Sequence, residues 1–119
     1  MEKAHKKLRV WQEAMALVKM IYEATSTLPS EEKFGLVSQM RRAAVSVPSN
    51  IAEGAARQSK KETIQFYLIA RGSLSELDTQ LELCENLKLL QSSQISGVSA
   101  QLDKVDGLLN GLIRFKRTA

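Results

Sequence analysis

The chain has one cysteine, one histidine, two prolines and few aromatics, and each scarcity closes off a class of fold or function. A lone Cys84 cannot form an internal disulfide, which rules out a disulfide-stapled scaffold and agrees with a reducing cytosol. One histidine, His5, cannot supply the paired Glu-x-x-His motifs of a di-iron carboxylate bundle. Aromatics are only 5% of the residues while Leu, Ala and Val are plentiful, which favours helix packed on helix over a strand-rich sandwich. No apolar run approaches the roughly 18 residues of a membrane span, and the basic start MEKAHKKLRV has no apolar segment behind it. One glycine, Gly54, before the stretch to Ser59 does not make a phosphate-cradling loop. The expectation is a soluble, cytoplasmic protein with no membrane contact, no metal and no cofactor.

What is present suits one domain. The 119 residues are enough for a single continuous core and too few for two. The net charge of +4 is mildly basic and permissive of nucleic-acid binding. Its distribution says more than its size. Between Arg41 and Lys61 five basic residues face one acid, Glu53, whereas Glu76 to Glu85 holds four acids and no base.

Apolar positions recur at spacings of three and four along most of the chain, the mark of amphipathic helices. After a basic lead-in to about Lys7, the first stripe is Trp11, Ala14, Val18, Ile21, Thr25 and Leu28, widened by Val10 and Leu17. Leu28-Pro29-Ser30 stops it, because proline disfavours helix for the residue before it. Ser30 is the expected N-cap of the second helix, with Glu31 and Glu32 in the first turn. That helix carries Leu36, Met40, Ala44, Val47 and Ile51 as its core stripe, and a flanking stripe of Phe34, Val45 and Ala52 that a monomer would not need. Pro48 predicts a kink, with Ser46 or Ser49 bonding the freed backbone groups, and Gly54 predicts a C-cap. Ser59-Lys60-Lys61-Glu62 reads as a capping box opening the third helix, whose stripe is Tyr67, Ala70, Leu74, Leu77, Leu81 and Cys84. Serines near 90–93 offer caps for the fourth, striped by Ile95, Val98, Leu102, Val105, Leu109 and Leu112.

The expected architecture is all-α, an antiparallel up-down-up-down four-helix bundle with helices at about 9–27, 31–54, 60–88 and 94–115. No catalytic set can be assembled. Cys84 sits at a core position with no neighbouring base, and Glu53 reads as a structural acid pairing with a nearby cation. Trp11 and Tyr22 have the chemistry to stack on bases, but Trp11 belongs to the core stripe. With Met40 facing the core, Arg41 lies about 100° and Arg42 about 200° round the helix. Arg42 is therefore a solvated charge, a partner for the acidic edge of a neighbouring subunit's third helix, or a phosphate contact. In this topology Arg57, Lys60 and Lys61 fall at the same end as Arg114, Lys116 and Arg117, and oligomeric symmetry would multiply them into a ring.

The segments LRVWQEAMALV, RRAAVSVPSNIAEG, ARQSKKE and ARGSLSELDTQLELC resemble the small bacterial four-helix-bundle proteins known as 23S ribosomal RNA intervening-sequence proteins. The likeness runs from about Leu8 to Arg114 and is most specific in the block from Arg41 to Gly54. It implies an antiparallel bundle, commonly a homopentamer arranged as a barrel, with no known enzymatic activity. The chain is also similar to the accessory variability protein of diversity-generating retroelements, which implies RNA or DNA and a reverse transcriptase or other protein as partners. The functional expectation is a non-enzymatic, homopentameric nucleic-acid-binding or RNA-associated scaffold. Its phosphate contacts would be Arg57, Lys60, Lys61, Arg114, Lys116 and Arg117, and its subunit interface Phe34, Arg41, Arg42, Val45 and Ala52. The alternative is a protein-interaction module that binds no nucleic acid.

Overall fold

The structure, a computed structural model, describes residues 3–119 and is helical throughout, with no strand among the described residues. Four helices carry the four apolar stripes: α1 (Arg9–Thr25), α2 (Ser38–Ala55), α3 (Lys60–Asn86) and α4 (Ser92–Thr118). Side-chain pairs fix their directions. Thr63 bonds Gly54, Ser73 bonds Ser46 and Arg42 meets Glu76, so residue numbers rise along α3 as they fall along α2. Arg71 with Asn110 and Lys60 with Ala119 set α4 antiparallel to α3, and Arg41 with Thr25 sets α2 antiparallel to α1. Glu13 closes the ring. It accepts from Gln101 of α4 at 2.9 Å and lies 3.8 Å from Lys104, and the Gln101 hydrogen bond holds its carboxyl below the usual carboxylate range.

Each helix gives one face to a common core. Leu17, Ile21, Met40, Val47, Ile51, Tyr67, Leu74, Leu77, Leu109 and Ile113 are all at least 98% buried, each such apolar side chain contributing about 1.5–3 kcal/mol. Trp11 and Val18 are half-buried at the edge of the core, with Ala14, Leu17, Ile21 and Ala24 at its centre. Cys84 is fully buried with its sulfur 3.7 Å from Met40 Sδ. Burial, with the Glu32 carboxylate adding to it, pushes the thiol pKa up.

Several starts and stops differ from the sequence expectation. Ser30 does not cap α2. The chain passes through a 3-10 turn (Ser30–Glu32) and a wide π turn (Lys33–Val37), and the Glu32 carboxylate accepts from Leu36 N at 3.3 Å. The non-helical break falls at Gly35 (φ −106°, ψ −110°), and α2 runs unbroken through Pro48. Among the described residues neither Ser46 nor Ser49 donates to the Ala44 carbonyl that the proline leaves free. Instead Asn50 Nδ2 donates to the Ser46 carbonyl and hydroxyl, and Ser73 donates to the same hydroxyl, tying α2 to α3 beside the proline.

Gly54 is no C-cap either. Its φ is not positive, the helix continues to Ala55, and the glycine is buried. A Cβ there would lie 2.7 Å from the Tyr67 ring and 3.0 Å from the Thr63 carbonyl, so the position needs the absence of a side chain for close helix approach. Ser59 does cap α3, accepting from Glu62 N at 3.2 Å. That helix ends in a Schellman turn. Leu89 N bonds Cys84 O at 2.8 Å, Lys88 N bonds Glu85 O at 3.1 Å, and Lys88 takes the left-handed position at φ 58°. Gln91, not a serine, opens α4, its N–H donating to the Gln94 side chain at 2.9 Å.

The basic lead-in is also more ordered than a solvated tail. Ala4–Lys7 forms a 3-10 turn whose start lies against Ala52, Glu53, Ala55 and Ala56 of α2, and His5 stacks edge-on against Trp11 at 5.0 Å.

Two glycines test opposite constraints. Gly54→Ala is expected to cost about 1–3 kcal/mol through overpacking against Tyr67. Gly107→Ala, where a Cβ meets nothing within 4 Å, should stabilise by about 0.5–1 kcal/mol through helix propensity. Urea unfolding reads both, and shifts of the same sign would contradict the close approach. For Cys84, a thiol reagent should label the native protein only at the rate of unfolding. Because its folded pKa is raised, its contribution to stability is full below the ordinary thiol range of about 8.5 and declines as pH rises beyond it. Cys84→Ala should flatten that alkaline decline in unfolding measurements between about pH 8 and 10.

Candidate nucleic-acid interface

Antiparallel packing gathers at one end of a 45 × 23 × 21 Å body the start of α1, the end of α2, the start of α3 and the end of α4. All six basic residues expected from sequence lie there. Arg57 follows α2, Lys60 and Lys61 open α3, and Arg114, Lys116 and Arg117 close α4. Lys60 Nζ donates to the Ala119 carbonyl at 2.9 Å, which holds the end of α4 beside the start of α3.

The six are not equally free. Arg57 pairs with Glu53 at 2.7 Å and its guanidinium lies 4.8 Å over the Phe66 ring, so much of its hydrogen-bonding capacity is already used. This i, i+4 pair is the structural role expected of Glu53. Lys61, Arg114, Lys116 and Arg117 make no ion pair among the described residues.

Four further cations belong to this end and were not assigned to it from sequence. Lys3, Lys6 and Lys7 stand on or beside the 3-10 turn and Arg9 opens α1, all exposed. Their basic run was legible, but its placement depends on the lead-in folding back along α2. Ten Lys and Arg thus share a cap about 23 × 21 Å across, with Glu53 and Glu62 among them and Glu13 one turn along α1 from Arg9. The opposite end carries Glu23, Glu31, Glu32, Glu82 and Glu85 against Lys33, Arg41 and Lys88.

The residues expected at a subunit interface separate into two groups. Arg41 is engaged within its own chain. Its Nε donates to Thr25 Oγ1 at 2.9 Å, a terminal nitrogen donates to Tyr22 O at 3.2 Å, and the guanidinium stacks 4.4 Å over the Tyr22 ring. It thereby satisfies the last turn of α1, a C-terminal capping role. Arg42 meets Glu76 of its own α3 at 3.7 Å, so the acidic edge it faces is intramolecular. With side chains 73% and 46% exposed, that pair contributes little to stability. Phe34, Val45 and Ala52 remain outside the core, Phe34 with Lys33 Nζ 5.5 Å over its ring and Ala52 half-buried beside the lead-in turn. Phe34 is 88% exposed, and Val45 and Ala52 line an open groove of about 350 Å³ with Trp11, Met15, Val18 and Pro48. The α1 half of this groove was missed because Met15 sits outside the core stripe.

Nothing here assembles a reaction centre. Cys84 is a buried, protonated thiol, and among the described residues no group of three His, Cys, Asp or Glu side chains could hold a metal ion. Among the same residues no helix is long and apolar enough to cross a membrane.

Comparison with known proteins agrees with the helical-bundle fold. A family model for the 23S rRNA-intervening sequence protein matches residues 6–111. No curated protein matches the chain. Among solved structures, a protein of unknown function from the S23 ribosomal protein family of Bacteroides thetaiotaomicron VPI-5482 superposes with a TM-score of 0.82. It is 24% identical over 88% of this chain and 95% of its own, a likeness of fold.

Proposed function

The chain belongs to the 23S rRNA-intervening sequence protein family, and from that premise we propose that it is a non-enzymatic, oligomeric scaffold that binds nucleic acid through its basic end. The observation that carries this reading is the cap of ten cations against three acids, Glu13, Glu53 and Glu62, among the described residues. Concentrating like charge on one small surface costs self-repulsion, which a polyanion relieves. A phosphate backbone gains further from counterion release. Lys61, Arg114, Lys116 and Arg117 are the principal phosphate contacts. Arg57 and Lys60 contribute after exchanging their internal partners.

Self-association is the second part of the proposal. The apolar α1/α2 groove and the exposed Phe34 supply a face suited to another copy, and a homopentamer is the assembly that the family resemblance implies. A cyclic arrangement would set one basic cap per subunit round a common axis, so that several phosphates are neutralised together. The same groove also supports a second reading, in which it docks a protein partner and the charge serves only solubility.

The triple variant Arg114→Ala, Lys116→Ala, Arg117→Ala is expected to weaken binding of any RNA or DNA. The slope of log affinity against log salt should flatten by about 2 to 3 units for three lost phosphate contacts. Anisotropy titrations across about 50–200 mM salt measure it, and an unchanged slope would remove this end as the interface. Light scattering at micromolar concentration should give about 66 kDa, five times the 13.2 kDa of one chain. Met15→Asp with Val45→Asp should reduce that mass without loss of helicity, whereas a wild-type monomer would refute the assembly.

A further inference from the structure

Charge does not account for every exposed group at the basic end. Phe115 lies in the last turn of α4 with 64% of its surface exposed, beside the exposed Arg114 and two residues before the exposed Arg117. A contact of this turn with the same turn of a second copy would set like charges against one another, whereas a polyanion is drawn to it.

Helix register shows what the ring belongs to. Leu108 lies seven residues before Phe115, two turns earlier on the same flank of α4 and about 10.5 Å along the axis. Leu108 and Leu112 line an open groove of about 240 Å³ with Leu8, Arg9 and Val10 from the start of α1. By this register Phe115 falls on the flank of α4 that faces the groove, one turn beyond Leu112 toward the end of the helix. Gly111, one turn before it, has open space where a Cβ would be and so adds no side chain at the i−4 position beside the ring. The site is an apolar floor ending in an exposed aromatic face, with Arg9 at its border and the other cations of the basic end beyond it.

We propose that Phe115 and the adjoining α1/α4 groove are a stacking platform for the unpaired bases of single-stranded nucleic acid, its phosphates held by Arg9 and drawn by the surrounding basic end. The inference rests on the nucleic-acid reading above and narrows it to strands whose base faces are free. An unpaired nucleotide matches the site because it is flat and apolar on its faces and anionic along its backbone. A duplex hides those faces in its own stack and offers this site only phosphates. Stacking on an aromatic face tolerates any base, so the platform selects strandedness without selecting sequence.

The test compares three labelled ligands of about 12 nucleotides, within the site sizes such proteins use: a single-stranded RNA, its abasic counterpart and a duplex. Wild type, Phe115→Ala and Phe115→Trp are titrated by anisotropy over the same salt range, with circular dichroism checking helicity. Phe115→Ala is expected to weaken single-strand binding about 5- to 150-fold, leaving the salt slope and the abasic and duplex affinities unchanged. Phe115→Trp should restore single-strand binding. If Phe115→Ala binds the single strand as tightly as wild type while wild type binds with a steep salt slope, the platform is overturned and the phosphate-binding reading stands. Equal losses on all three ligands would also overturn it, by making the effect general to the cap. If wild type binds none of the three at the low-salt end, both readings fall together.

Discussion

The close approach of Gly54 to Tyr67 is the constraint from which much of this bundle follows. Tyr67 heads the fully buried side chains, and its ring occupies the space that a side chain at position 54 would need. The missing side chain lets α2 and α3 converge at this end, where Thr63 donates to the Gly54 carbonyl at 2.9 Å. Convergence permits a connection of only four residues, Ala56–Ser59, between two long helices. That short connection sets Arg57, Lys60 and Lys61 side by side, and Lys60 in turn holds the end of α4. A packing requirement deep in the core thereby determines which charges meet at the surface.

Electrostatics then divides the molecule along its length. One end is cationic and the other predominantly acidic, while the ion pairs along the sides are few and exposed. Such pairs do little for stability, and fields beyond about 8–10 Å are screened at physiological salt. The charge pattern therefore says little about why the chain folds, which the apolar faces explain, and much about what approaches it. Burial runs the other way. The core holds one thiol and no engaged acid–base pair, so its chemistry is packing.

Much of this was legible in the sequence because a helix writes its buried face at a fixed period. The stripes of α2, α3 and α4 fall at the spacings read from the residues, and even the offset stripe of Phe34, Val45 and Ala52 remains outside the core. Termini were less legible. Ser30, Gly54 and the serines near position 92 are residues that suit caps, but which group caps a helix depends on geometry that propensity does not carry. Glu32 reaches Leu36 N only because the chain widens at Gly35, and Gly54 answers to Tyr67 thirteen residues away. Pro48 was expected to kink α2, yet the helix continues and the Asn50–Ser46–Ser73 bonds brace it from the neighbouring helix. The candidate site was half legible. Topology predicted the meeting of six cations, while the four from the lead-in and the exposure of Phe115 depended on tertiary placement.

The even number of antiparallel helices has a practical consequence. Residue 3 and residue 119 lie at the same end of the bundle, so a tag, fluorophore or surface linker attached to either would crowd the cationic cap. The turn between α3 and α4, residues 87–91, lies about 40 Å away, the length of a 27-residue helix, and its Lys88 is exposed. An immobilised or labelled form intended to keep the cap open is best anchored through that turn, where attachment leaves the cationic cap in solution.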